Sequence, residues 1–121
     1  MRVHHLAFRT SDLARLERFY VDALGLAVVR RQDERSVWLD AGGAIVMLER
    51  REDGEAAHPA SSKELVAFAV APEMRSFYTD RLERAQVAIE ESTDFTLYVR
   101  DPDGRRIGLS SYPAPLLRTP T

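Results

Sequence analysis

The chain has 121 residues, 45% of them hydrophobic and 30% charged, which is the profile of one folded domain with enough apolar material for a core. A formal net charge of −2 excludes the basic excess that a nucleic-acid or anionic-membrane surface requires, and the lack of cysteine excludes disulfides, thiolate metal sites and cysteine nucleophiles. No apolar run reaches the ~20 residues of a membrane span, and Met1-Arg2-Val3-His4-His5 has no apolar signal core, so a cytoplasmic address is expected.

From the N-terminus, Leu6, Phe8 and Thr10 alternate with His5, Ala7 and Arg9, the period-2 pattern of a half-buried strand. Ser11 or Asp12 can cap a helix whose stripe is Leu13, Leu16, Phe19, Tyr20 and Leu24, with Gly25 as its stop. Strands are predicted over Leu26–Arg30, Ser36–Asp40 and Ala44–Glu49, the last two joined by a Gly42-Gly43 turn. In Ser36–Asp40, Trp38 is expected on the core side.

Arg50 to Lys63 is polar, carries Gly54 and Pro59, and reads as a flexible linker in which His58 is solvated. A second strand-helix-strands series follows. The strand is Leu65–Val70, Pro72 suits a first helical turn, and Met74, Phe77, Tyr78 and Leu82 form the stripe. Strands are then expected over Val87–Glu90, Phe95–Arg100 and Arg105–Ser110, with Asp103-Gly104 as hairpin turn. The tail, residues 113–121, is rich in proline and is expected to be irregular and docked through Leu116 and Leu117.

The two series repeat one another. His5-Leu6-Ala7-Phe8 resembles Leu65-Val66-Ala67-Phe68, FYVDAL from Phe19 answers FYTDRL from Phe77, and Asp40-Ala41-Gly42-Gly43 answers Asp101-Pro102-Asp103-Gly104. The offsets are 60, 58 and 61, so a module of about 60 residues is duplicated, each copy reading βαβββ. Module one is 1–49, the linker 50–63 and module two 64–112, within a single domain. FYVDAL and FYTDRL are helix-core stripes, and DPDG is hairpin chemistry because Asp-Gly supplies the positive φ of the turn.

Paired βαβββ modules, an N-terminal MxxHH strand, DLxxxxxFYxxxLG and a late DPDGxxIxL together resemble the vicinal oxygen chelate superfamily, the glyoxalase, bleomycin-resistance and extradiol-dioxygenase group. The resemblance covers residues 1 to about 112. It implies an α+β fold in which the two modules form a curved mixed sheet around a cleft, with helices on the convex side. Alternation then places Leu6, Phe8, Val46, Leu48, Ile107 and Leu109 toward the helices. His5, Ala7, Arg9, Ile45, Met47, Glu49, Arg106, Gly108 and Ser110 face the cleft.

Metal-dependent members of the group hold a divalent ion with four side chains, and the resemblance carries those positions onto His5, Met47, Leu65 and Gly108. Only His5 is a suitable donor. Methionine is a soft thioether, and leucine and glycine offer none. No cofactor is therefore expected. The expected function is binding of a small, anionic or aromatic molecule in the cleft, with Arg9, Met47, Leu65, Tyr98, Arg100 and Gly108 as the ligand-binding set. Arg9 matches a position resembling the glutathione-carboxylate arginine of glyoxalase-type members; its competing role is a salt bridge to Glu49 or another rim acid. The alternative is a divalent-metal lyase, isomerase or dioxygenase with an altered site, in which His5 and Glu49 are catalytic. His4 is expected to be structural. The resemblance also implies a homodimer, with or without exchange of modules.

Overall fold

A computed structural model describes residues 1–113, so the expectations for Leu116 and Leu117 lie outside the described residues. In chain order the strands are β1 His5–Thr10, β2 Ala27–Gln32, β3 Ser36–Asp40, β4 Ile45–Arg50, β5 Leu65–Ala69, β6 Glu91–Ser92, β7 Thr96–Arg100 and β8 Arg106–Ser110. They form two mixed four-stranded sheets of identical order, β1-β4-β3-β2 and β5-β8-β7-β6. In each, the first strand runs parallel to the last and the remaining pairs are antiparallel.

Among the described residues two helical segments cover the sheets. Helix α1 spans Leu13–Arg18 and is capped by Asp12, whose carboxylate accepts from the Arg15 N–H. It does not continue as α-helix to Leu24, because Phe19–Ala23 widens into a π turn in which the Leu24 N–H reaches the Phe19 carbonyl. The wider turn lets adjacent residues, Phe19 and Tyr20, both point inward, and both are buried. Helix α2, Arg75–Arg84, follows a 3-10 turn at Pro72–Met74.

Two expectations are corrected in this layer. No strand forms over Val87–Glu90. Gln86 takes φ +58 as the helix exits, and the Val87 N–H is spent on the Leu82 carbonyl, so the strand starts at Glu91. The linker is also not a free tether. The Arg51 N–H donates to the Thr10 carbonyl, the Arg100 guanidinium donates to the Ser62 carbonyl, and Ala60 packs on the DPDG turn. A Cβ on Gly104, which has φ +86, would stand 2.7 Å from Ala60, so only glycine fits there.

The core sits between sheets and helices and is shared by both modules: Phe8, Leu16, Tyr20, Val46 and Leu48 belong to the same cluster as Leu82, Val99, Ile107 and Leu109. Alternation holds on β4 and β8, where Val46, Leu48, Ile107 and Leu109 are buried. On β3 the face expected for Trp38 is reversed. Val37 and Leu39 are the buried apolar residues of β3, while Trp38 pairs with Met47 on the other face, under the Arg30 guanidinium. Because Val, Trp and Leu are consecutive, both faces of this strand look apolar in sequence, and the smaller pair wins the core.

Between the modules runs a buried polar clamp. The Tyr20 hydroxyl donates to Asp101 Oδ2 at 2.7 Å, and Arg105 donates to the same oxygen at 3.2 Å. Arg105 also donates to the Arg9 carbonyl and lies 4.9 Å over the Phe8 ring. Burial and the Asp101 carboxylate together push the Tyr20 hydroxyl well above its ordinary pKa, with burial the larger cause. Both the Asp of the DPDG turn and the Tyr of the first FY pair therefore serve the joint between modules.

A candidate ligand site along the seam between the modules

β1 and β5 are each an edge strand of their sheet, hydrogen-bonded inward to β4 and β8, and residues of both line the space between the modules. Two cavities lie on this seam. The larger, about 620 Å³, is walled by Leu6, Leu24, Val46, Phe68, Tyr78 and Leu109 among other mainly apolar residues. The smaller, about 410 Å³, lies toward the Arg9 end of β1 and is lined by Ala7, Arg9, Leu65, Arg105 and Arg106, together with linker residues from Glu55 to His58. Leu65 lines both cavities and is 41% exposed. Of the residues predicted to form the site, Arg9 and Leu65 share the smaller cavity; Met47, Tyr98, Arg100 and Gly108 line neither.

Arg9 and Arg100 are already occupied. Arg9 grips Glu55 with two hydrogen bonds, Nε to Oε2 at 3.0 Å and Nη2 to Oε1 at 2.7 Å, and Glu49 stands 3.7 Å from its Nη1. The Arg9 hydrogen bond holds the Glu55 carboxyl down to about 2, and the same bond raises Arg9. Arg100 is held by Glu90, whose carboxyl it depresses, and by the Ser62 and Gly104 carbonyls. Arg106 stacks 4.1 Å above the Tyr98 ring and donates from Nη2 to Glu91. The rim salt bridge anticipated for Arg9 is thus the arrangement present, with Glu55 as its main partner.

The donor set does not fit a catalytic metal. Among the described residues no three His, Asp or Glu side chains converge. His5 pairs with Ile45 and Arg9 with Glu49, so His5 and Glu49 stand four rungs apart along the β1–β4 ladder. That separation is roughly 13 Å by strand rise, far beyond what one ion could bridge. The His5 ring instead meets its neighbour, with Nδ1 2.9 Å from Nδ1 of His4. At position 108 a Cβ would approach Ala67 and Thr96 at 3.3 Å, so a ligating side chain there would crowd its neighbours.

Sequence reading missed three residues here. The strand pattern puts Trp38 in the core, Glu55 is one acid among several in the linker, and the polar linker implies a solvated His58. In the folded chain the His58 Nε2 is buried and has no partner among the described residues. No local pattern marks it, because the linker is drawn onto the seam by contacts with residues distant in sequence.

Comparison with known proteins agrees with this architecture. The family model of the Glyoxalase/Bleomycin resistance protein/Dioxygenase superfamily matches residues 2–109. The virulence protein STM3117 of Salmonella typhimurium is 25% identical over 92% of this chain and 84% of its own length. Among solved structures, the fosfomycin resistance protein FosX of Listeria monocytogenes superposes with a TM-score of 0.76 at 13% identity, covering 93% of this chain and 92% of that one. Lactoylglutathione lyase from Agrobacterium tumefaciens superposes with a TM-score of 0.70 at 20% identity, covering 90% and 92%. At those identities the structures speak for the fold alone. With its tandem βαβββ sheets and a family match across nearly the whole chain, this protein belongs to the Glyoxalase/Bleomycin resistance protein/Dioxygenase superfamily.

Proposed function

We propose that this protein binds a small, largely apolar molecule on the seam between its modules, without the help of a metal ion. The observation that carries the reading is the apolar seam cavity of about 620 Å³, within the size range of small-molecule sites. The donor chemistry at His5, Met47, Leu65 and Gly108 supports metal independence, since one imidazole is too few ligands. Leu65, common to both cavities, is the residue on which binding should depend most. The charge and composition fit a cytoplasmic location. Exposed Phe95 and Tyr112, whose rings pack edge-on, favour a homodimer that covers them, which light scattering at micromolar concentration would test by finding a dimer mass and not a monomer.

The direct test is a thermal-shift titration with 1-naphthol, a neutral aromatic probe, in the presence and absence of EDTA. The expected result is a rise in Tm that EDTA leaves unchanged and that Leu65→Glu removes. No shift in the wild-type protein, or a shift that appears only with added metal, would overturn the reading.

A further inference from the structure

We propose that the cavity of about 410 Å³ at the Arg9 end of the seam is a carboxylate-binding subsite, with His58 and Arg106 supplying the donors. This rests on the metal-independent ligand reading and assigns the ligand's polar end. Among the described residues, the buried side-chain nitrogens without a hydrogen-bond partner are His58 Nε2, Arg106 Nε and Arg81 Nε. Two of those three belong to residues lining this one cavity. A buried polar atom left unpaired is costly, so two in one place call for an acceptor from outside the chain.

The other cations around the cavity cannot take that role. Arg9 is held by two hydrogen bonds to Glu55, and Arg105 by Asp101 and Asp103. Arg106 has its Nη2 on Glu91 and its guanidinium stacked on Tyr98, which fixes the group, while Glu90 Oε1 stands 3.7 Å from its Nε, beyond hydrogen-bond reach, so that Nε lacks an acceptor. A carboxylate answers this arrangement because it has two oxygens, accepts only, and carries the charge that a guanidinium nitrogen favours. Ala56, Ala57, Leu65 and Val66 give the body of such a ligand an apolar lining. The ligand class is a monocarboxylate with a compact apolar body.

Calorimetric titration with sodium benzoate, against benzamide as the uncharged match, tests the assignment. Benzoate should bind the wild-type protein and benzamide should bind at least tenfold more weakly. His58→Phe and Arg106→Gln should each weaken benzoate about tenfold. Together they should cost less than the product of the two, since both donors hold one head group. His58 lies on the linker, so His58→Phe should melt like wild type, and it decides the matter alone if Arg106→Gln fails to fold. Unchanged benzoate affinity in His58→Phe would mean that water fills the cavity, and would overturn the subsite. So would a wild-type protein that ignores benzoate. In either case a 1-naphthol response lost in Leu65→Glu would leave the broader ligand reading standing, whereas loss of both responses would remove the two together.

Discussion

In the first module the loop from β3 to β4 leaves Asp40 in solvent, its carboxylate turned back on the Gly42 N–H. In the second, Asp101 is buried against Tyr20 and Arg105. The two aspartates look equivalent in sequence, yet the ladders equate Asp40 with Arg100, since Asp40 pairs with Ile45 and Arg100 with Arg106. The second loop is one residue longer. A single extra residue moves a side chain to the other face of a strand, so the same Asp-x-x-Gly string gives an exposed turn in one module and a core carboxylate in the other. The helices diverge likewise: Phe19 is buried, whereas its counterpart Phe77 is 46% exposed, although each packs edge-on against the tyrosine that follows it. A duplicated unit has kept its framework while one copy has turned a hairpin into a joint.

That contrast can be broken at matched positions. Arg105→Met should leave the Asp101 carboxylate buried without its cation and cost about 3–5 kcal/mol in urea unfolding. Asp40→Ala, at the homologous-looking turn, should stay within about 0.5–1 kcal/mol; equal losses at the two sites would end the distinction. Phe19→Ala should cost about 3–4 kcal/mol through the cavity it opens, and Phe77→Ala no more than about 1 kcal/mol. Similar melting temperatures for those two variants would show that the helices are equivalent after all. The smallest effect belongs to the linker. Because Arg9 depresses the Glu55 carboxyl from 4.5 to about 2, the stabilisation it gives is present above about 4.5 and is lost as pH falls through about 2. The Tm difference between wild type and Glu55→Gln should therefore be present at neutral pH and vanish in strong acid. A difference that persists at the lowest pH would separate Glu55 from the Arg9 charge.

Most of the framework was legible because it rests on local periodicity. The period-2 runs around Phe8 and Phe68 found the equivalent first strands, and the two FY stripes found the helices. Two features escape periodicity for local reasons: the Val87 N–H is taken by the Leu82 carbonyl at the helix exit, and the run Val37-Trp38-Leu39 is apolar on both faces. The site is less legible than the fold because it depends on partners far along the chain. Arg9 and Leu65 were named from strand positions, but Glu55 and His58 come to the seam only because Arg9, Arg100 and Gly104 draw the linker in.

The position of β5 carries one further consequence. Leu65-Val66-Ala67-Phe68-Ala69-Val70 has neither charge nor proline across six residues, and it lies at the edge of its sheet. An uncharged apolar edge is a template for the same segment of another chain, the start of a fibre or a precipitate. Here module one faces it across the seam cavities, held in place by the Tyr20–Asp101–Arg105 clamp, with Lys63 and Glu64 as charged residues just ahead of it. The clamp is thus also a guard against self-association: anything that lets the modules part, even without unfolding either sheet, offers that edge to every other copy of the chain.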